Sequence, residues 1–302
     1  MPDKHLDYVQ AVVETGSLQK AAEAMFITPS ALSKYIQRLE QELNVPLFKR
    51  VGKRFVLTYA GERYLNWQRK IKLLQDDMRA ELYDIAGAKE GRIRFGLHST
   101  EGVFFAENIL PKFYEKYPNV DVELTQKKNW ELRSMLENQM LDFALINDGE
   151  LNADFTTQHV VEVEQVVLVA KNHPLVEFAQ YRPGFRYLWI DGNLLKNERF
   201  LIPSGDRLGV RNSITQLYGY IPNVTLQTDT FCETLLRCVE QGLGITISTD
   251  FYMKVSSANY KLTPLSYGEE PVKRNTVLAY HKNHYVDKAS QYLIDLCKEL
   301  AN

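Results

Sequence analysis

Cysteine is scarce in this chain of 302 residues: Cys232, Cys238 and Cys297 are the only three, and no two of them form a Cys-x-x-Cys pair. That count excludes a disulfide scaffold and a thiolate zinc site, and the thiols are expected reduced. Cys232 and Cys238 fall six apart on one expected helix, about 240° around it at ~100° per residue, so a redox pair is not expected. Long apolar runs are missing too, none approaching the roughly 20 residues that span a bilayer. The first residues lack the basic region, apolar core and small-residue cleavage site of a leader. The expectation is a cytoplasmic protein with no membrane partner. There is no Gly-rich phosphate loop and no Gly-x-Ser-x-Gly elbow, which leaves catalysis without a carrier, so no enzyme and no cofactor are expected. His281 and His284 stand three apart, but no carboxylate or thiol completes a metal set, and no metal is expected. Strong charge of one sign is also lacking. The net charge of −2 argues against nucleic-acid binding over the whole surface and confines it to a local patch.

What is present begins with Ser17 to Arg54. Two helical patterns flank a short break: Leu18 to Met25 is Ala-rich, Phe26 to Thr28 interrupts it, and Pro29 to Leu43 carries Leu32, Ile36, Leu39 and Leu43 as one apolar stripe. Ser17 and Thr28 suit N-caps, and Pro29 suits a first helical position because its missing N–H removes no needed bond. With the stripe turned inward, Ser30, Ser33, Lys34, Gln37 and Arg38 share the outer face, a mixture of groups suited to base edges and phosphates. From Thr28 to Arg54 six basic side chains, Lys34, Arg38, Lys49, Arg50, Lys53 and Arg54, stand against Glu40 and Glu42. The basic loop before Phe55, Val56 and Leu57 would flank the second helix as a wing. The alternative is an ordinary helical hairpin with a solvated polar face. Leu6, Val9 and Val13, with Ala11 to Val12, give a first helix that completes the small core.

The run Gly16-Ser17-Leu18, Ala21-Ala22, Thr28-Pro29-Ser30-Ala31-Leu32-Ser33, Leu39-Glu40, Leu47-Phe48-Lys49-Arg50 and Leu57-Thr58-Tyr59-Ala60-Gly61 closely resembles the winged helix-turn-helix of LysR-type transcriptional regulators. The resemblance implies an all-α winged head (1-58), a dimerising linker helix (59-88) and an effector-binding domain (89-302). That domain is expected to be an α/β two-lobed fold like a type II periplasmic binding protein, with lobe I at about 91-163 and 267-302 and lobe II at about 164-266. DNA contact is then expected from Ser17, Thr28, Pro29, Ser30, Ser33, Lys34, Gln37, Arg38, Arg50, Lys53 and Arg54. The implied partner is double-stranded DNA at a near-palindromic site. A homotetramer and a contact with RNA polymerase are further family expectations.

From Tyr59 to Ala86 there is no proline and only one glycine, Gly61, which predicts a long helix of about 40 Å at ~1.5 Å per residue. Tyr64, Trp67, Ile71, Leu74, Met78 and Leu82 recur at spacings of three and four and are the expected dimerisation seam. The alternative is a helix lying across its own domain. Gly87 and Gly91 mark its end, with a hinge at 88–90.

After Arg92 strands alternate with helices, which predicts a parallel sheet with helices on its faces. Expected strands lie at Ile93 to Leu97, Val120 to Leu124, Phe143 to Ile146, Val166 to Val169, Phe200 to Ile202, Val224 to Gln227, Gly244 to Ile247 and Val277 to Tyr280. Val286 to Leu300 is the closing helix, and Tyr181 to Glu198 is the least regular stretch. Ligands gather at the carboxyl ends of such strands, beside helix N-termini. Serine and threonine there serve equally as plain caps, but convergence of several, with matching family positions, selects Ser99, Thr100, Asn129, Ser204, Gly205 and Thr230 for a small effector, an anion or carboxylate. Phe231, Thr249 and Gln139 depart from the family pattern. A solute-binding protein or a small-molecule enzyme on the same two-lobed fold is the rival reading, and it leaves Ser17 to Arg54 unexplained.

Overall fold

Helix entry in the N-terminal part is set by side-chain oxygens. Ser17 Oγ accepts from Lys20 N at 3.4 Å and Thr28 Oγ1 from Ala31 N at 3.2 Å. In the computed structural model these caps open α2 (Leu18–Ala24) and α3 (Pro29–Leu43), which follow α1 (Lys4–Thr15). The structure describes residues 4–52, 54–87, 90–148, 151–203, 210–228, 233–251 and 260–299, without the side chains of 4, 5, 99, 100, 210–213 and 228. Asn44 ends α3 in the left-handed region at φ 55°. The core of the three helices contains Leu6, Val9, Val12, Ala22, Leu32, Ile36 and Leu39. Two expected apolar positions differ: Val13 is exposed while Ala11 and Val12 of the same helix are buried, and Leu43 is exposed because the chain turns away at Asn44.

The wing is a short antiparallel hairpin, β1 (Phe48–Val51) with β2 (Arg54–Leu57), so the otherwise helical head carries a small sheet. Its position is tied at both strands. Glu40 on α3 accepts from Leu47 N at 2.7 Å and Phe48 N at 3.0 Å, and Phe55 N donates to Gly16 O at 3.0 Å. The long helix α4 (Tyr59–Ile85) starts where Thr58 caps Gly61 N at 3.0 Å while donating to Pro46 O at 2.6 Å. A Cβ at Gly61 would stand 2.1 Å from Leu47 O, so only glycine lets the helix pass this close to the strand entry.

The chain separates into two compact units, one chiefly Met1–Ala86 and the other made of Gly87–Leu136 and Leu141–Asn302. In the second unit β3 (Glu90–Leu97) already includes Glu90, one residue of the expected hinge, as well as Gly91; the other two hinge residues, Ala88 and Lys89, lie outside the described residues. Helices α5 (Ser99–Phe104) and α6 (Leu110–Lys116) follow, then β4 (Asn119–Gln126), α7 (Asn129–Glu137) and β5 (Phe143–Asn147). β3 pairs parallel with both β4 and β5, as alternating strands and helices predict.

The sheet is nevertheless mixed. β6 (Phe155–Ala170) is a single strand of 16 residues whose first half pairs antiparallel with β11 (Lys273–His281). Its second half pairs antiparallel with β9 (Thr246–Thr249) and β10 (Leu262–Leu265). The expected strand at Val166 to Val169 is only its apolar end. Its start escapes a pattern search because Thr156, Gln158, Glu162 and Glu164 interrupt the apolar run. β6 passes from one core, which holds Phe95, Phe113, Phe143 and Val163, to another, which holds Val167, Phe200, Ile214 and Tyr267. β7 (Arg199–Pro203) and β8 (Asn223–Thr228) pair parallel beside the second core, with α8 (Val210–Tyr218) between them in sequence and α9 (Glu233–Glu240) after β8. The irregular stretch holds one 3-10 turn at Gly192–Asn197, and the closing helix runs Lys288–Lys298 from an Asp287 cap.

Candidate nucleic-acid interface and effector site

The outer face of α3 is available. Ser30, Lys34, Gln37 and Arg38 are exposed and Ser33 is half-buried, while Leu32, Ile36 and Leu39 fill the core on the other side. Not every predicted side chain is free for DNA. The hydroxyls of Ser17 and Thr28 are occupied in capping, the latter also 3.2 Å from Ser30 Oγ, so their contribution is to set the helix starts, with Pro29 in the first turn of α3. Arg38 Nε lies 3.0 Å from Glu42 Oε1, an exposed pair that phosphate can displace because such pairs hold weakly. On the wing, Arg50 Nε donates to Gly52 O at 3.2 Å, and the Arg54 side chain runs over Gly16 at the turn into α2. Lys53 lies outside the described residues. Of the wing cations, Arg54 thus lies beside the entry to α2 and Arg50 folds back on its own hairpin turn.

Along α4 the predicted seam faces solvent. Leu74 is 64% exposed, Trp67, Ile71, Met78 and Leu82 are exposed with it, and Tyr64 packs partly on the head core. Apolar side chains at this spacing, uncovered within one chain, are the surface that pairing of two helices would bury.

In the second unit the carboxyl ends of β3, β4 and β5 meet. Lys127 N donates to Leu97 O at 3.2 Å, and Asn129 Oδ1 accepts from Asn147 N at 2.9 Å. The Asn129 oxygen is therefore occupied in joining α7 to β5. Ser99 and Thr100 open α5 directly after this edge. Two groups that pattern reasoning did not select stand with them. His98 lies with Nδ1 3.9 Å from Glu101 Oε2, and burial followed by the charge of Lys128 holds its pKa below the ordinary histidine value. The edge therefore carries a neutral imidazole between the Glu101 carboxylate and the charge of Lys128. On the second core, β7 and β8 end side by side at the pair Pro203 and Thr228. Ser204, Gly205 and Thr230 follow those ends but lie outside the described residues, as do Phe231 and Cys232.

Where β6 crosses between cores, Glu164 and Asp250 are buried carboxylates in one hydrogen-bonded cluster. Asp250 Oδ1 accepts from Glu164 N at 3.0 Å, its Oδ2 accepts from Arg186 Nη1 and from Tyr187 OH at 3.2 Å, and Glu164 accepts from Ser266 Oγ. Burial, with Asp250 adding to it, pushes the Tyr187 hydroxyl up to about 12, so it remains a donor. Buried charge of this kind persists only when paired. The signal in the sequence is the pair of glutamates inside Val160–Val169, out of place in a core strand.

His281 and His284 set their rings against Phe155 at 5.7 Å and Phe143 at 5.1 Å. Cys297 is fully buried, which raises its thiol pKa. Gln139 adopts φ 57°, the left-handed turn in which glycine is the commoner residue. No helix among the described residues is long and apolar enough to cross a membrane.

Two family models match the chain: the bacterial regulatory helix-turn-helix protein, lysR family, over residues 4–62, and the LysR substrate binding domain over residues 86–302. The HTH-type transcriptional activator CmpR of a Synechocystis species is 26% identical over 288 residues, covering 94% of this chain and 91% of the relative. Among solved structures, full-length CbnR complexed with target DNA aligns over 100% of both chains with a TM-score of 0.64 at 17% identity. The regulatory domain of Synechocystis CcmR in complex with 2-PG aligns over 70% of this chain and 98% of that domain, with a TM-score of 0.58 at 23% identity. With the capped reading helix and wing matched by one family model and the two-core α/β unit by the other, the chain belongs to the LysR family of transcriptional regulators.

Proposed function

We propose that this regulator reads DNA through Ser30, Ser33, Lys34 and Gln37 on α3, with Arg38, Arg50, Lys53 and Arg54 holding phosphates, as one half of a two-fold dimer paired through α4. The observation that carries this reading is the exposed polar face of α3, locked in place by the Thr28-Pro29 entry. CbnR, whose fold is shared, is known with its target DNA. A dimer presents two reading helices to successive half-sites, which a near-palindromic site requires. A tetramer built from two such dimers is the extended form of this proposal.

The regulatory unit, about 89-302 with lobes at about 91-163 with 267-302 and 164-266, takes a small anion or carboxylate. The proposed contacts are Ser99, Thr100 and Asn129 on one side and Ser204, Gly205 and Thr230 on the other. His98 and Lys128 at the shared strand edge support that choice of charge. Binding there acts by favouring one of two lobe arrangements, since a ligand shifts an equilibrium only by its differential affinity.

The test is selection of bound duplexes by the purified chain, followed by salt titration of one of them. Affinity falls steeply with salt if phosphates are held by several cations. Arg54→Ala weakens binding across all sequences, and Gln37→Ala changes which bases are preferred. Unaltered binding in both variants refutes this placement of the reading face.

A further inference from the structure

Phe26 is the most exposed large apolar side chain among the described residues, at 96%, and it occupies the left-handed backbone region at φ 55°. Neither property serves the fold. A bulky residue at positive φ is strained where glycine or asparagine is at ease, and an uncovered ring gains nothing from water. Its neighbours behave differently: Met25 and Ile27 pack on the head core, and the backbone of the turn is held by Phe26 N to Glu23 O at 3.2 Å and Ile27 N to Ala22 O at 3.0 Å. The ring therefore projects away from that core, in the turn two residues before Thr28, the cap of α3. The face of α3 opposite the core is the one that carries Ser30, Lys34 and Gln37.

We infer that Phe26 is a specificity-determining residue of the DNA-reading head, its ring resting on the C5-methyl group of a thymine at the edge of the half-site. This rests on the reading face proposed above. The thymine methyl is the apolar mark of the major groove, and phenylalanine is among the side chains that meet it. The contact would cover a ring that the protein leaves bare, and it accounts for retaining an aromatic where the backbone favours a smaller residue.

The experiment uses the full chain and a duplex it selects from a random-sequence pool. Each thymine of the half-site is replaced in turn by uracil, which removes only the methyl group. Wild type loses about three- to tenfold in affinity at one position, the worth of roughly one buried methyl group. Phe26→Asn shows the same loss on the thymine duplex and no further loss on the uracil duplex. Phe26→Asn and Phe26→Gly both keep or raise the melting temperature of the head, which separates recognition from folding. Equal binding of wild type and Phe26→Asn on every duplex overturns the inference and leaves the α3 reading face intact. Failure of wild type to select any duplex overturns both.

Discussion

His98 ties the chemistry of the proposed effector edge to a measurable proton. Its pKa is depressed in the folded chain, so the folded state favours the neutral ring. Its contribution to stability is complete above the unfolded value near ~6.5 and is lost as pH falls through the lower folded value. Melting temperature of the second unit should accordingly drop on acidification from about pH 6.5 to 5, with a shallower drop in His98→Gln. The difference between the two profiles isolates this group from the carboxylates. An anion bound beside His98 and Lys128 favours the protonated ring, so binding should take up protons, detectable by calorimetry in buffers of different ionisation enthalpy. Uptake unchanged in His98→Gln would place the anion elsewhere. His98 was not selected from sequence, because a lone histidine after a strand has no pattern; its burial and its lysine neighbour come from two strands meeting.

At the scale of elements, the junction of α3, the wing and α4 is held by few atoms. Glu40 anchors the strand entry, Thr58 anchors the start of α4 to the same loop, and Gly61 passes 2.1 Å, measured from an added Cβ, from Leu47 O. Gly61→Ala should destabilise the head by about 3 kcal/mol or more, because backbone on both sides cannot yield as a side chain can. Calorimetry should show the head transition falling while the second unit melts as before. Caps, the span of α3 and the start of α4 were all legible, since Thr28-Pro29 and Thr58 act within three residues of themselves. The register of the apolar stripe was legible only as far as Leu39, where the left-handed Asn44 turns the chain and exposes Leu43.

For the molecule as a whole, the exposed row Trp67, Ile71, Leu74, Met78 and Leu82 is the feature that a single chain leaves unfinished. Leu74→Glu should convert a dimer into monomers in sedimentation velocity. DNA affinity should fall on the order of a hundredfold, because the second half-site is then no longer bound intramolecularly. A variant that stays dimeric would assign the pairing to another surface. The row is legible at spacings of three and four, whereas its exposure is not, since the same spacing describes a helix lying on its own core.

Local order in this protein is written in its residues: caps, turns, the amphipathic reading helix, the α4 seam and the strand-helix alternation follow from neighbours within a few positions. The resemblance carried by Ser17 to Gly61 and beyond supplied the family, which the matched models then showed. The mixed sheet, the 16-residue β6 and the cluster of Glu164, Asp250, Arg186 and Ser266 arise from residues more than twenty apart in the chain. Pairing of distant strands has no local spacing to betray it, and a buried carboxylate looks like a surface one until its partners arrive. Folding brought those partners together, and it also gave the nitrogen of Phe26 its place in the turn while leaving its ring bare.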